Sequence, residues 1–104
     1  MSATPIDLGL GYSYTWISWA PDRKLNPQYD GIPDVEHYGA IIHCPCPQNL
    51  DGFVLFESDV ARRIEPGRPM WKVESWEPLT LSPSILRREC GCHGFIRNGK
   101  WVVA

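Results

Sequence analysis

Ten prolines punctuate this chain of 104 residues, and nine glycines join them. Proline removes a backbone donor and glycine weakens regular elements, so together they cut the chain into short pieces. That pattern argues against any helical bundle. The length fits one domain over residues 1–104, because two separate cores would each be too small to fold unaided. Residues 1–35 are expected to form an N-terminal strand and loop, and residues 36–104 the core. Hydrophobic residues at 43% against charged residues at 21% make the chain globular and not disordered.

The pieces read mainly as strands. Tyr12 to Trp19 alternates, with Tyr12, Tyr14, Trp16 and Ser18 on one face, and its aromatic and β-branched content suits a strand. Pro21 to Pro33 reads as a loop. Further strands are expected at His37 to His43, Gly52 to Glu57 and Trp71 to Trp76. Asn98-Gly99, between Phe95-Ile96-Arg97 and Lys100-Trp101-Val102-Val103, is a strong hairpin signal, since both turn positions tolerate positive φ. One or two short helical turns are expected. One lies at Asp59 to Ile64. The other starts at Ser82, with Ser82 as cap and Pro83 in the first helical position. The expected fold is therefore mainly β: a compact antiparallel sheet with one or two helical turns.

Several function classes fall away. A net charge of −2 with no basic stripe argues against nucleic-acid binding through phosphates. The longest apolar runs, such as Phe53 to Phe56, are far short of the about 20 residues that span a bilayer. Met1 to Leu10 shows no basic region followed by an apolar stretch, so a cytoplasmic location is expected. In a reducing compartment, clustered cysteines are more often metal ligands or redox groups than disulfides.

The four cysteines form two tight pairs, Cys44-Pro45-Cys46 and Cys90-Gly91-Cys92. Thiolates one residue apart can meet one ion if the residue between them allows a sharp turn, which Pro45 and Gly91 do. Zinc prefers four tetrahedral sulfur or nitrogen ligands. The pairs thus point to a structural metal site, and metal binding contributes folding free energy that a short chain needs. Free buried cysteines and a disulfide or redox pair are the alternatives. The ligand set stays open at this point: Cys44, Cys46, Cys90 and His93, or all four cysteines, with His43 a further candidate. No deaminase signature, His-Glu-x-x-His, phosphate loop or Gly-x-Gly-x-x-Gly occurs.

Ser84 lies nine positions before His93. If Ser84 starts a short helix, unpaired N–H groups near its hydroxyl can stabilise an oxyanion. A free His93 can then take the serine proton, as nucleophilic catalysis requires. Asp34, Glu36, Glu74 and Glu77 are the candidate carboxylates to orient the imidazole. The ordinary reading is that Ser82 caps a turn and Ser84 is a surface serine.

The run Leu79 to Leu86, followed by Cys90-Gly91-Cys92-His93-Gly94-Phe95-Ile96-Arg97-Asn98-Gly99, resembles a family of small bacterial and phage domains found in Bub-type ubiquitin-like conjugation operons. Some of its members have been mislabelled as ammonia monooxygenase. Cys44-Pro45-Cys46 and the Trp71 to Trp76 strand fit its order of features, and the resemblance covers Ile41 to Val103. It implies a zinc-containing serine peptidase, deubiquitinase-like, acting on the C-terminal tail of a ubiquitin-like protein. Ser84 matches the family's nucleophile, His93 its base, and Cys44, Cys46 and Cys90 its metal ligands. Relatives often carry a further cysteine where this chain has Pro47 and Gln48, and a serine where it has Cys92. The exchange favours Cys44, Cys46, Cys90 and Cys92 as the Zn2+ ligands and a free His93.

Two other readings compete. A non-catalytic zinc module would bind another protein through Trp16, Trp19, Trp71, Trp76 and Trp101, unless those residues form the core. Metal-centred hydrolysis or redox chemistry needs an open coordination position, which four cysteines would close.

Overall fold

The computed structural model describes residues 4–46, 51–88 and 90–104. Its elements are β1 (Ile6–Gly9), β2 (Tyr12–Trp19), β3 (Val35–His43), β4 (Asp51–Leu55), α1 (Asp59–Ile64), β5 (Lys72–Trp76), β6 (Leu79–Ser82), β7 (Ile85–Arg87), β8 (Cys92–Arg97) and β9 (Lys100–Val103), with a 3-10 turn at Pro27–Tyr29. The strands form three sheets, ordered β1-β2-β3-β4, β5-β6 and β7-β8-β9. All strand pairings within them are antiparallel. The mainly β expectation holds.

Alternation in β2 produces its two faces. Tyr12 and Tyr14 are buried and Trp16 packs beside them, while Thr15 and Ile17 point to the opposite face. Across the ladder Trp16 faces Ala40 and Tyr14 faces Ile42, so the large rings of β2 lie against a small residue and an aliphatic one. The main core gathers side chains from all three sheets, among them Leu8, Ile42, Phe56, Leu81, Ile85 and Ile96. Each such burial contributes about 1.5–3 kcal/mol. Emptying one site, as in Ile96→Ala, is expected to cost about 2–5 kcal/mol. A second cluster of Tyr38, Leu55 and Ala61 joins the other face of the first sheet to α1.

The helix forms at Asp59–Ile64, as the sequence suggests. Ser58 caps it by accepting from the Ala61 N–H at 3.0 Å, Asp59 sits in the first turn, and Arg62 and Arg63 lie in the last. The C-terminal hairpin also forms as expected, with Asn98 at φ 50° and Gly99 at φ 72°.

The helix expected from Ser82 does not form. Ser82 ends β6 and Ile85 begins β7, leaving Pro83 and Ser84 as a two-residue corner. The reason is burial: Leu79, Leu81 and Ile85 all enter the core, and an extended backbone with period two delivers them there. This tertiary demand outweighs the Ser-Pro capping signal, whose value is about 1 kcal/mol. Strand β1 also lies outside the sequence expectation; Leu8 is its anchor, 1% exposed.

Candidate functional site

Strand β8 carries two neighbours of different chemistry. Because successive side chains of a strand point to opposite faces, Cys92 and His93 diverge. Gly94 and Ile96 on the Cys92 side are buried, whereas His93 and Arg97 on the other side are exposed. The sulfur side and the imidazole side are thus separated by the β pleat itself.

On the sulfur side, Cys44, Cys46, Cys90 and Cys92 bring their Sγ atoms within 4.8 Å of one another. Cys44 follows β3 and is buried; the other three are half-buried. The Cys44 and Cys92 sulfurs lie 2.7 Å apart and those of Cys44 and Cys90 3.5 Å apart, well beyond the about 2.05 Å of a disulfide. Gly91, at φ 74°, makes the second pair's turn, and the Gly91 N–H donates to the Arg87 carbonyl at 2.7 Å. At the first pair, Pro45 packs so closely on Gly11 that a Cβ there would lie 2.8 Å from the Pro45 ring. Burial pushes the Cys44 thiol up, and its hydrogen bond to Cys92 adds to the shift. The same hydrogen bond from Cys44, with one from the Tyr12 hydroxyl second, brings the Cys92 thiol down. Four convergent sulfurs form a donor set that fits a soft tetrahedral ion. The cluster can hold a metal ion.

On the other side, His93 Nε2 lies 2.9 Å from Ser84 Oγ. Ser84 occupies the corner between β6 and β7, and β7 pairs with β8 in the register Ile85↔Gly94 and Leu86↔His93. That register carries the corner to the imidazole. Two backbone ties fix the pair. The Trp71 indole Nε1–H donates to the Ser84 carbonyl at 3.2 Å, and the Ala104 N–H donates to the His93 carbonyl at 3.1 Å. Ser84 is half-buried and His93 exposed.

Not every residue expected at the site is there. Without a helix at Ser82, the expected helix-start N–H groups are not available at Ser84. Among the described residues, none of Asp34, Glu36, Glu74 or Glu77 is hydrogen-bonded to the His93 ring; Asp34 instead accepts from Arg23 at 2.7 Å. His43 does not join the sulfurs. Its ring bridges Thr15 Oγ1 and Asp51 Oδ1, both at 2.9 Å, across β2, β3 and β4. Pro47 and Gln48, where relatives carry a further cysteine, lie outside the described residues. Sequence reasoning named Trp71 only as a candidate contact or core residue and missed its hydrogen bond to the Ser84 carbonyl.

The fold and its two sites define a small β protein with a sulfur cluster on one face of a strand and a hydroxyl–imidazole pair on the other. The chain belongs to the family described as bacterial ubiquitination-like system serine protease (BubE), whose model matches residues 21–104. No curated protein and no solved structure matches the chain. Among the described residues, no helix is long and apolar enough to cross a membrane.

Proposed function

We propose that this protein is a zinc-stabilised serine peptidase that cleaves or trims a ubiquitin-like protein, with Ser84 as nucleophile and His93 as general base. The 2.9 Å approach of Ser84 Oγ to His93 Nε2 carries this reading, and the family's description as a serine protease supports it. An unassisted serine hydroxyl is a weak nucleophile; an imidazole within hydrogen-bond reach activates it. Ser84 Oγ attacks the scissile carbonyl as its proton passes to His93 Nε2. The imidazolium then gives that proton to the leaving amine, and water, activated by His93, releases the acyl group. The exposure of His93 suits a protein substrate that offers a chain terminus to the surface.

Cys44, Cys46, Cys90 and Cys92 hold the ion in this reading. Zn2+ bound there supplies folding free energy and ties the two cysteine segments together. The four cysteines fill a tetrahedral shell, so the chemistry is assigned to Ser84 and His93. By fixing Cys92, the cluster also fixes the start of the strand that presents His93.

The test uses a ubiquitin-like protein from the same kind of conjugation system, fused at its C-terminus to a reporter. The wild-type chain is expected to release the reporter and Ser84→Ala to leave the fusion intact. Release by Ser84→Ala at the wild-type rate sinks the assignment.

A further inference from the structure

A cavity of about 430 Å3 has neither Ser84 nor His93 in its lining. Its walls come from β1, β2, β3, β5, the turn after β5, Leu79 at the start of β6, and Gly99 in the turn between β8 and β9. Three rings form its base and side. Trp16 and His37 stack at 4.0 Å with an interplanar angle of 12°, and Trp76 leans over both, at 6.0 Å from Trp16 and 5.6 Å from His37. Tyr14 meets Trp16 edge-on at 5.1 Å. Trp76 is 49% exposed and Ile6 40% exposed, so the mouth has an apolar rim. Glu77 lines the same cavity, which has no lysine or arginine in its lining. Among the described residues, Glu77 makes no ion pair.

These features select a ligand by charge and shape. Aromatic faces attract a cation within about 6 Å through their quadrupoles, most strongly for tryptophan. The Glu77 carboxylate adds a full negative charge. Tyr14 and Glu77 line the same cavity, and burial first and the negative charge of Glu77 second raise the Tyr14 hydroxyl. The chain as a whole carries a charge of −2, which favours a cationic partner over an anionic one. The exposed Trp76 and Ile6 decide between a free cation and a tethered one. A small ion would leave this rim in water, whereas a protein surface presenting the cation would cover it, as partners cover the rim of a hot spot.

We propose that the cavity formed by Tyr14, Trp16, His37, Trp76 and Glu77 is a docking site for a lysine or arginine side chain of a protein partner. It is independent of the peptidase reading, since nothing in it depends on Ser84 or His93.

The experiment is a titration of the full chain, followed through the indole N–H signals of Trp16 and Trp76 by NMR. The probes are N-acetyl-lysine methylamide, N-acetyl-arginine methylamide, the neutral isostere N-acetyl-norleucine methylamide, and tetramethylammonium. The lysine or arginine probe is expected to shift both signals saturably, with the norleucine probe at least tenfold weaker. Glu77→Gln is expected to weaken the cationic probe several-fold. Trp76→Ala, at an exposed position, is expected to abolish the response at Trp16. Equal binding of the norleucine probe, or an unchanged affinity in Glu77→Gln, overturns the proposal. Tighter binding of tetramethylammonium than of either side-chain probe also overturns it, in favour of a free small cation. Reaction of Ser84 with an active-site phosphonate in Glu77→Gln reports on the peptidase reading separately.

Discussion

The Trp71 indole holds the carbonyl of Ser84 at 3.2 Å. Trp71 is itself tied to the first sheet: its N–H donates to the Leu55 carbonyl at 2.8 Å, and its carbonyl accepts from the Glu57 N–H at 2.9 Å. One residue therefore anchors the corner that carries the proposed nucleophile to a sheet remote in sequence. Trp71→Phe keeps most of the ring and removes the donor. Loss of a hydrogen bond of about 1 kcal/mol corresponds to roughly a fivefold change. The variant is expected to react several-fold more slowly with a serine-directed phosphonate, measured as a labelling rate, while Tm falls by only a few degrees. Rescue by a variant that restores the donor, Trp71→His, would separate positioning from packing.

The cysteine cluster gives a second prediction. Purified protein is expected to contain one zinc per chain by elemental analysis, and a strong chelator is expected to lower its Tm. Apparent binding free energies of structural zinc sites reach about 10–16 kcal/mol, so removal should be close to unfolding in effect. Cys92→Ser and Cys46→Ser are each expected to lose the metal. His93→Gln is expected to keep it, because the β pleat turns that ring away from the sulfurs and onto Ser84. Zinc loss from His93→Gln would make His93 a ligand.

Much of this arrangement was legible in the sequence, and the physical reason differs from element to element. The alternation of Tyr12 to Trp19 is visible because Tyr12 and Tyr14 are buried on one face while Ser13 and Thr15 between them are only half-buried on the other. Asn98-Gly99 is visible because only a few residue types accept two positive φ angles in succession. The convergence of the four cysteines follows from two pairs of soft ligands with a permissive residue in each. The Pro83-Ser84 corner was misread because the local Ser82-Pro83 signal is that of a helix cap, and only the burial of Leu81 and Ile85 decides otherwise. The Thr15–His43–Asp51 chain was invisible because it depends on the register of three strands, which spacing along the chain does not encode. The aromatic cavity has the same origin, since Trp16, His37 and Trp76 come from three different strands.

Acid sensitivity gives a third prediction. The Tyr38 hydroxyl donates to Glu65 Oε2 at 2.5 Å, and Arg68 donates to Oε1 at 2.6 Å. The Tyr38 hydrogen bond first, and Arg68 with it, hold the Glu65 carboxyl below its ordinary value against the opposing effect of burial. A carboxylate with a depressed folded pKa stabilises the fold above its unfolded pKa of about 4.3, and the contribution fades as pH falls through the folded value. Glu65→Gln is therefore expected to lower Tm at pH 7. The gap from wild type should close on acidification below pH of about 4. A gap independent of pH between 7 and 3 would contradict this account.

Gly94 supplies a fourth. A Cβ at this position would lie 2.5 Å from Trp101 Cε2 and 2.6 Å from the Val102 carbonyl. Trp101 in turn stacks on Tyr12 at 4.1 Å, next to the sulfur cluster. Gly94→Ala forces the indole off that stack, and overpacking of this kind typically costs about 1–3 kcal/mol. The expected result is a Tm lower by several degrees, with a change in near-ultraviolet circular dichroism.

The central claim is that Ser84 is an activated nucleophile and His93 its base. The most direct measurement is the rate and site of covalent modification by a fluorophosphonate, read by intact mass and peptide mapping of the zinc-loaded chain. The account predicts a single phosphonyl adduct on Ser84, no adduct in Ser84→Ala, and a rate at least a hundredfold lower in His93→Gln with zinc and fold retained. Modification at another residue, or an unchanged rate in His93→Gln, would contradict it.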